Sequence, residues 1–232
     1  MKNRALTLVI AAGLAIGCAE DNNASVFITA ACYPPEPEDG QCTVSDTCEL
    51  FLTGIPFVDL NTTQNSFVLP LEFRNQLAEN ADDSMGGTNT NVAFVEDLRF
   101  DYRAPAQPAT TDQDGDGDVD GNDVILAVDL TDVRAPMTAF SIEPGGTAVA
   151  WLELIAPGVG NSLVGSGTRV VTIDVRAGGH YNGGSWFETG SFQIVAEMCR
   201  GCAPATSPCA AGEIYTACPQ RGQTSNFTCE AP

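Results

Sequence analysis

Lysine and histidine are almost missing from this chain: Lys2 is the only lysine and His180 the only histidine. A single histidine excludes a catalytic metal site built on several imidazoles. Neither Ser166 nor Ser185 has both glycines of a nucleophile elbow, which closes that route to covalent catalysis. Paired carboxylates could serve glycoside hydrolysis, but no pair is marked out by its context. The expectation is a protein that is not an enzyme. Positive charge is scarce too, with 10 basic residues against 30 acidic ones. A surface this acidic repels nucleic acid and anionic membrane. Long apolar runs are also lacking, since none reaches the roughly 18 residues of a membrane-spanning helix. Amphipathic helical periodicity is nearly absent.

What is present begins at the N-terminus. Lys2 and Arg4 precede an apolar stretch at residues 5–16, 12 residues long, which suits the hydrophobic part of a signal peptide. Leu14-Ala15-Ile16-Gly17-Cys18 follows and resembles the lipobox of bacterial lipoproteins, with Ala15 where a larger aliphatic residue is usual. That resemblance implies acylation of Cys18 and cleavage before it, so the membrane is reached through lipid. Residue 19 is alanine, not the aspartate that retains some lipoproteins in the inner membrane. The expected place is the outer membrane, facing the periplasm or the cell exterior. Removing 17 residues from 232 leaves a mature chain of 215, with 8 of the 10 basic residues, all 30 acidic ones and a net charge of −22.

Short strand-like runs recur through the mature chain with turn residues between them. They lie at 26–28, 49–53, 67–73, 92–102, 137–142, 149–155, 169–176 and 192–198. Pro70 points to an edge strand or a bulge in its run. In residues 169–176, Val171, Ile173 and Val175 alternate with Val170, Thr172 and Asp174, a period of two. The fold class expected is all-β: an antiparallel β-sandwich with an inserted calcium-binding loop and a disulfide-rich C-terminal tail. Its parts are a signal peptide at 1–17, a lipidated tether at 18–30, a sandwich at 31–198 with an insert at 107–135, and a cysteine-rich segment at 199–232.

Nine cysteines less Cys18 leave eight, an even number as a disulfide framework requires. Cys32, Cys42 and Cys48 lie near the start; Cys199, Cys202, Cys209, Cys218 and Cys229 lie at the end. Three and five are both odd, so full pairing requires an odd number of bridges between the two groups. The ends of the domain should therefore be neighbours. The Cys199-Arg200-Gly201-Cys202 spacing lacks the following histidine of a haem attachment, and Ala203 stands there.

The sharpest motif runs from Asp112 to Asp123. Calcium takes six to eight hard oxygens from flexible ligands. Asp112, Asp114 and Asp116 fall at positions 1, 3 and 5 of an EF-hand-type loop, the carbonyl of Asp118 at 7, Asp120 at 9 and Asp123 at 12. Gly117 occupies position 6, where φ must be positive, and Val119 is the aliphatic residue at 8. Without a cation, six aspartates in twelve residues repel one another. Asp123 followed by Val124-Ile125-Leu126-Ala127-Val128 resembles one half of a dockerin repeat, which implies a short helix after the loop and a cohesin partner. Dockerins carry two such halves, usually at a chain end, and here one lies mid-chain. The β-branched content of 124–130 leaves helix and strand both open.

The stretches Asn22-Asn23-Ala24-Ser25-Val26-Phe27-Ile28, Asn75-Gln76-Leu77 and residues 195–202 resemble a cysteine-rich lipoprotein family common in myxobacteria and their relatives. The resemblance implies no particular activity. His180 lies in the glycine-rich Gly178-Gly179-His180-Tyr181-Asn182-Gly183-Gly184, expected as an exposed loop. Trp186 and Phe187 are expected to start a strand and enter the core, although with Tyr181 they could instead stack on sugar rings. The functional expectation is a lipid-anchored envelope protein that binds one Ca2+ and has a structural, adhesive or interaction role, with a protein or glycan partner. The alternatives are a calcium-dependent carbohydrate-binding module and a dockerin-like docking protein.

Overall fold

The computed structural model describes residues 25–32, 47–48, 55–60, 66–79, 89–108, 117–118, 124–135, 137–163, 169–199, 214–217 and 227–230. Two sheets face each other across the core. The smaller contains β1 (Val26–Ala31), β3 (Phe67–Asn75) and β9 (Thr147–Ile155), in the order β1-β3-β9. The larger runs β2 (Phe57–Asp59), β12 (Phe192–Cys199), β10 (Arg169–Tyr181), β4 (Ala93–Ala104), β7 (Val128–Ala135). It is joined by β8 (Phe140–Ile142) on β4 and β11 (Trp186–Glu188) on β10. Two small ladders complete the set: β5 (Gln107–Pro108) with β6 (Val124–Ile125), and β13 (Ile214–Ala217) with β14 (Phe227–Glu230). One helix, α1 (Pro157–Leu163), links β9 to β10. The fold is all-β and sandwich-like.

Alternation decides the faces. Leu69, Leu71 and Phe73 of β3, Leu98, Phe100 and Tyr102 of β4, and Val171, Ile173 and Val175 of β10 are all buried in one cluster. Their neighbours along each strand point outward, as the period of two requires. Tyr102 also ties the sheets together, because its hydroxyl donates to the Leu154 carbonyl of β9 at 2.7 Å. Burial, and then the nearby charge of Glu153, raises the pKa of the Tyr102 phenol well above its ordinary value. The folded state therefore holds this proton more tightly than the unfolded chain does. That stability is complete below the free phenol value of about 10 and is lost as pH rises beyond it. Tyr102→Phe should cost about 1 kcal/mol near neutrality through the lost hydrogen bond. It should also flatten the decline above pH 10, and urea unfolding at neutral and alkaline pH would read both effects.

Pro70 does not lie at an edge: β3 is the central strand of its sheet, paired with both β1 and β9. Its carbonyl accepts from the Cys32 amide at 2.9 Å, so its nitrogen faces the same side. The missing donor thus falls at the last rung beside β1, where one terminal bond is lost and no interior one. Register shifts at Phe67/Val68 and at Ile28/Ala30 lie on either side of it. The run at 49–53 lies outside the described residues apart from its neighbour Cys48. Residues 128–135, placed with the insert by sequence, form β7 and pair with β4 as part of the large sheet. β7 carries a bulge at Asp132, whose φ is +53° and whose amide donates to Asp101 Oδ1 at 2.7 Å.

The start and end of the domain do lie side by side: β2 runs parallel to β12, with Val58 opposite Met198. Cys32 is bonded to Cys48 across 16 residues, and Cys199 is also disulfide-bonded. With Cys32 and Cys48 joined, full pairing of eight would send Cys42 to the C-terminal group. Side chains of Cys42, Cys202, Cys209, Cys218 and Cys229 lie outside the described residues, as does Cys18. Among the described residues no helix is long and apolar enough to cross a membrane.

Candidate functional site

The aspartate-rich stretch leaves the large sheet where β4 ends. Gln107 pairs with Ile125 and Pro108 with Val124, so a two-rung antiparallel ladder closes the base of residues 109–123. Val124–Ile125 is therefore strand, and β7 follows at Val128, where the dockerin resemblance implies helix. Tertiary pairing with β5 and β4 resolves the ambiguity that the β-branched residues left open.

Arg169, at the start of β10, fastens this base to the domain. It is 2% exposed, and its guanidinium donates to three carbonyls. They are Leu163 at 3.1 Å, Pro105 at 3.0 Å, and Leu126. Pro105 and Leu126 lie at the same end of the β5–β6 ladder, the end away from the aspartate loop, and Leu163 is the last residue of α1. Burial without a carboxylate among these partners lowers the Arg169 pKa from its usual value. Arg169 is thus a buried cation that holds three backbone acceptors, two of them where the aspartate-rich excursion leaves and rejoins the domain.

Within the loop, Gly117 and Asp118 are the described positions. Gly117 has φ of +98°, with nothing near the place a Cβ would occupy, and Asp118 is exposed. A positive φ at position 6 is what the tight turn of an EF-hand-type loop demands, and glycine is the residue that adopts it without strain. Asp112, Asp114, Asp116, Asp120 and Asp123 lie outside the described residues. Among the described residues no group of three or more His, Cys, Asp or Glu side chains could hold a metal ion.

A second feature, read only with the strand register in hand, occupies the outer face of the large sheet. Asp97, Arg99, Asp101 and Arg103 of β4 point outward beside Asp174 and Arg176 of β10. Arg99 pairs with Asp97 at 2.9 Å and with Glu188 at 3.2 Å; Arg176 pairs with Asp101 at 3.0 Å and Glu188 at 3.5 Å. Arg103 binds Asp174, which is 6% exposed and also accepts from Gln193 at 3.1 Å. The pairing holds the Arg99 guanidinium above its usual pKa, mainly through the Asp97 hydrogen bond. The signal was present in Asp97-Leu98-Arg99-Phe100-Asp101-Tyr102-Arg103, where outward positions alternate in sign.

Farther along the same face, His180 lies in β10 and not in a loop, paired with Phe94 on one side and Trp186 on the other. Phe187 and Tyr181 enter the core, but Trp186 is 70% exposed. Sequence expectation had both members of the Trp-Phe pair inward; the period of two sends them to opposite faces.

In comparisons with protein-family models, curated proteins and solved structures, nothing matches this chain.

Proposed function

We propose that the protein is a non-enzymatic, lipid-anchored envelope protein that binds one calcium ion and acts through structure or interaction. The observation that carries the calcium reading is the positive φ of Gly117, set inside the Asp112–Asp123 pattern at the one position where the loop needs it. The residues fit the ion: Asp112, Asp114, Asp116, Asp120 and Asp123 would offer carboxylates, and Asp118 its carbonyl. The β5–β6 ladder supports this reading, because a closed base reduces the chain entropy that ion binding must remove. Bound Ca2+ would neutralise the mutual repulsion of the aspartates and stiffen the excursion. Cys18 would carry the lipid, placing the domain at the outer membrane. The remaining cysteines would staple it in an oxidising compartment.

The test is calorimetric titration of the unlipidated mature chain with calcium, repeated on the double variant Asp112→Ala, Asp116→Ala. One ion should bind with a Kd of about 10⁻⁴–10⁻³ M, the range of extracellular modules, and the double variant should show no saturable binding. Absence of binding by the unaltered chain up to roughly ten times that range would remove calcium from the function.

A further inference from the structure

The row of rings on the outer face of the large sheet has no role in calcium binding or in the core. Phe94, His180 and Trp186 are direct cross-strand partners on β4, β10 and β11. Their centroids are 5.2 Å and 6.2 Å apart, and successive ring planes turn by 19° and then 56°. Phe94 and His180 therefore stack on one another, and Trp186 tilts at the end of the row with its indole open to solvent. His180 is held in the row by Glu96, whose Oε2 lies 3.0 Å from Nδ1, which leaves the other ring nitrogen for a ligand. Gly179 lets β4 come close enough to align the rings, because its backbone packs directly on the Phe94 carbonyl.

We infer that this strip binds the pyranose rings of a neutral or amino-sugar glycan. Three observations favour that occupant. Sugar rings present C–H faces with a rim of hydroxyls, and the row offers the exposed indole of Trp186 with His180, Glu96 and Asn182 beside it. Carboxylates accept from hydroxyl and ammonium groups, whereas the chain's net charge of −20 opposes an anionic polysaccharide. The apolar surface exposed among the described residues is small for a protein interface. Among the described residues the exposed large hydrophobic side chains are Ile55, Leu126, Val170 and Trp186, and Trp186 is the one in the strip. This rests on the reading of the protein as an envelope interaction module and supplies its partner.

Calorimetry of the unlipidated mature chain with N-acetylglucosamine tetramers, glucosamine tetramers, cellotetraose and oligogalacturonate tests the proposal. Saturable binding to at least one of the first three is expected, with none to the last. Trp186→Ala should weaken binding at least tenfold. Its thermal midpoint should not change, since the side chain is largely exposed. His180→Ala should weaken binding several-fold. Repeating the titration in chelator, and with Asp112→Ala and Asp116→Ala together, keeps the two readings separable: glycan binding should persist when calcium binding is lost. The proposal is overturned if no neutral or amino-sugar glycan binds, if Trp186→Ala binds as tightly as the unaltered chain, or if oligogalacturonate binds best.

Discussion

Gly179→Ala is expected to destabilise the domain by about 3–4 kcal/mol, at or above the upper end of ordinary overpacking, and to lower its thermal midpoint by roughly 10 °C. A Cβ at this position would lie 1.9 Å from the Phe94 carbonyl oxygen and 2.9 Å from its carbon. Both atoms are backbone, so no rotamer change relieves the clash; β4 and β10 must move apart. Those two strands form the centre of the large sheet, and the ladder already shifts register between Gly178 and Gly179. The neighbouring glycine is the control. A Cβ on Gly178 would meet Phe187 O at 3.7 Å and Asp97 Cβ at 3.8 Å, ordinary contact distances. Gly178→Ala should therefore be neutral or slightly stabilising, since alanine costs less backbone entropy than glycine in a strand. Denaturant unfolding of both variants measures the difference. Equal effects at the two positions would show that backbone approach at Gly179 is not what the sequence has solved.

Arg169→Met should cost about 2–4 kcal/mol and weaken calcium binding together with stability. Methionine fills similar space but leaves the carbonyls of Leu163, Pro105 and Leu126 in a buried setting without this donor. Each unsatisfied acceptor costs about 1–3 kcal/mol, partly offset because a buried cation no longer has to be desolvated. Two of the three carbonyls lie at one end of the β5–β6 ladder, so the base of the loop loses its attachment to β10 and α1. Calcium must then order more chain, and the affinity should fall about fivefold, equivalent to about 1 kcal/mol. Arg169→Lys should recover part of the stability, since a compact ammonium cannot spread over three acceptors as a guanidinium does. If stability falls while calcium affinity is unchanged, the latch is structural and the loop base closes by its own ladder.

The strands were legible where one face is buried and the other wet. Leu69, Leu71 and Phe73, or Val171, Ile173 and Val175, announce a core face through spacing alone. The reading failed where local composition opposed tertiary demand. Gly178-Gly179-His180-Tyr181 looks like a loop, yet its glycines serve a close approach between strands that only β4 explains. Residues 157–163 contain two glycines, a valine and an asparagine, poor material for a helix. Pro157 at its first position was the only local sign of α1. The helix stands because Leu163 is buried and its carbonyl is held by Arg169, a partner outside the segment. The aspartate pattern is a spacing rule and is read from the sequence alone. The aromatic strip needed the structure, because Phe94 and His180 are 86 positions apart and meet only through strand register.

The direction of β4 sets the reach of the molecule. At its Ala93 end, Asn75 donates to the Asn91 and Ile142 carbonyls, and the Gln76 amide donates to the carbonyl of Ser25, where the tether joins the domain. At its Ala104 end the chain turns into the aspartate excursion. Ten residues of strand separate Phe94 from Ala104, about 33 Å at the usual rise. A domain standing on an acylated Cys18 would hold the β5–β6 base of the excursion several Debye lengths from the lipid headgroups, given a screening length of about 8 Å at physiological ionic strength. The loop would then sample the calcium of the surrounding medium and not the ion layer condensed on the membrane, while the aromatic strip would stay near the bilayer side.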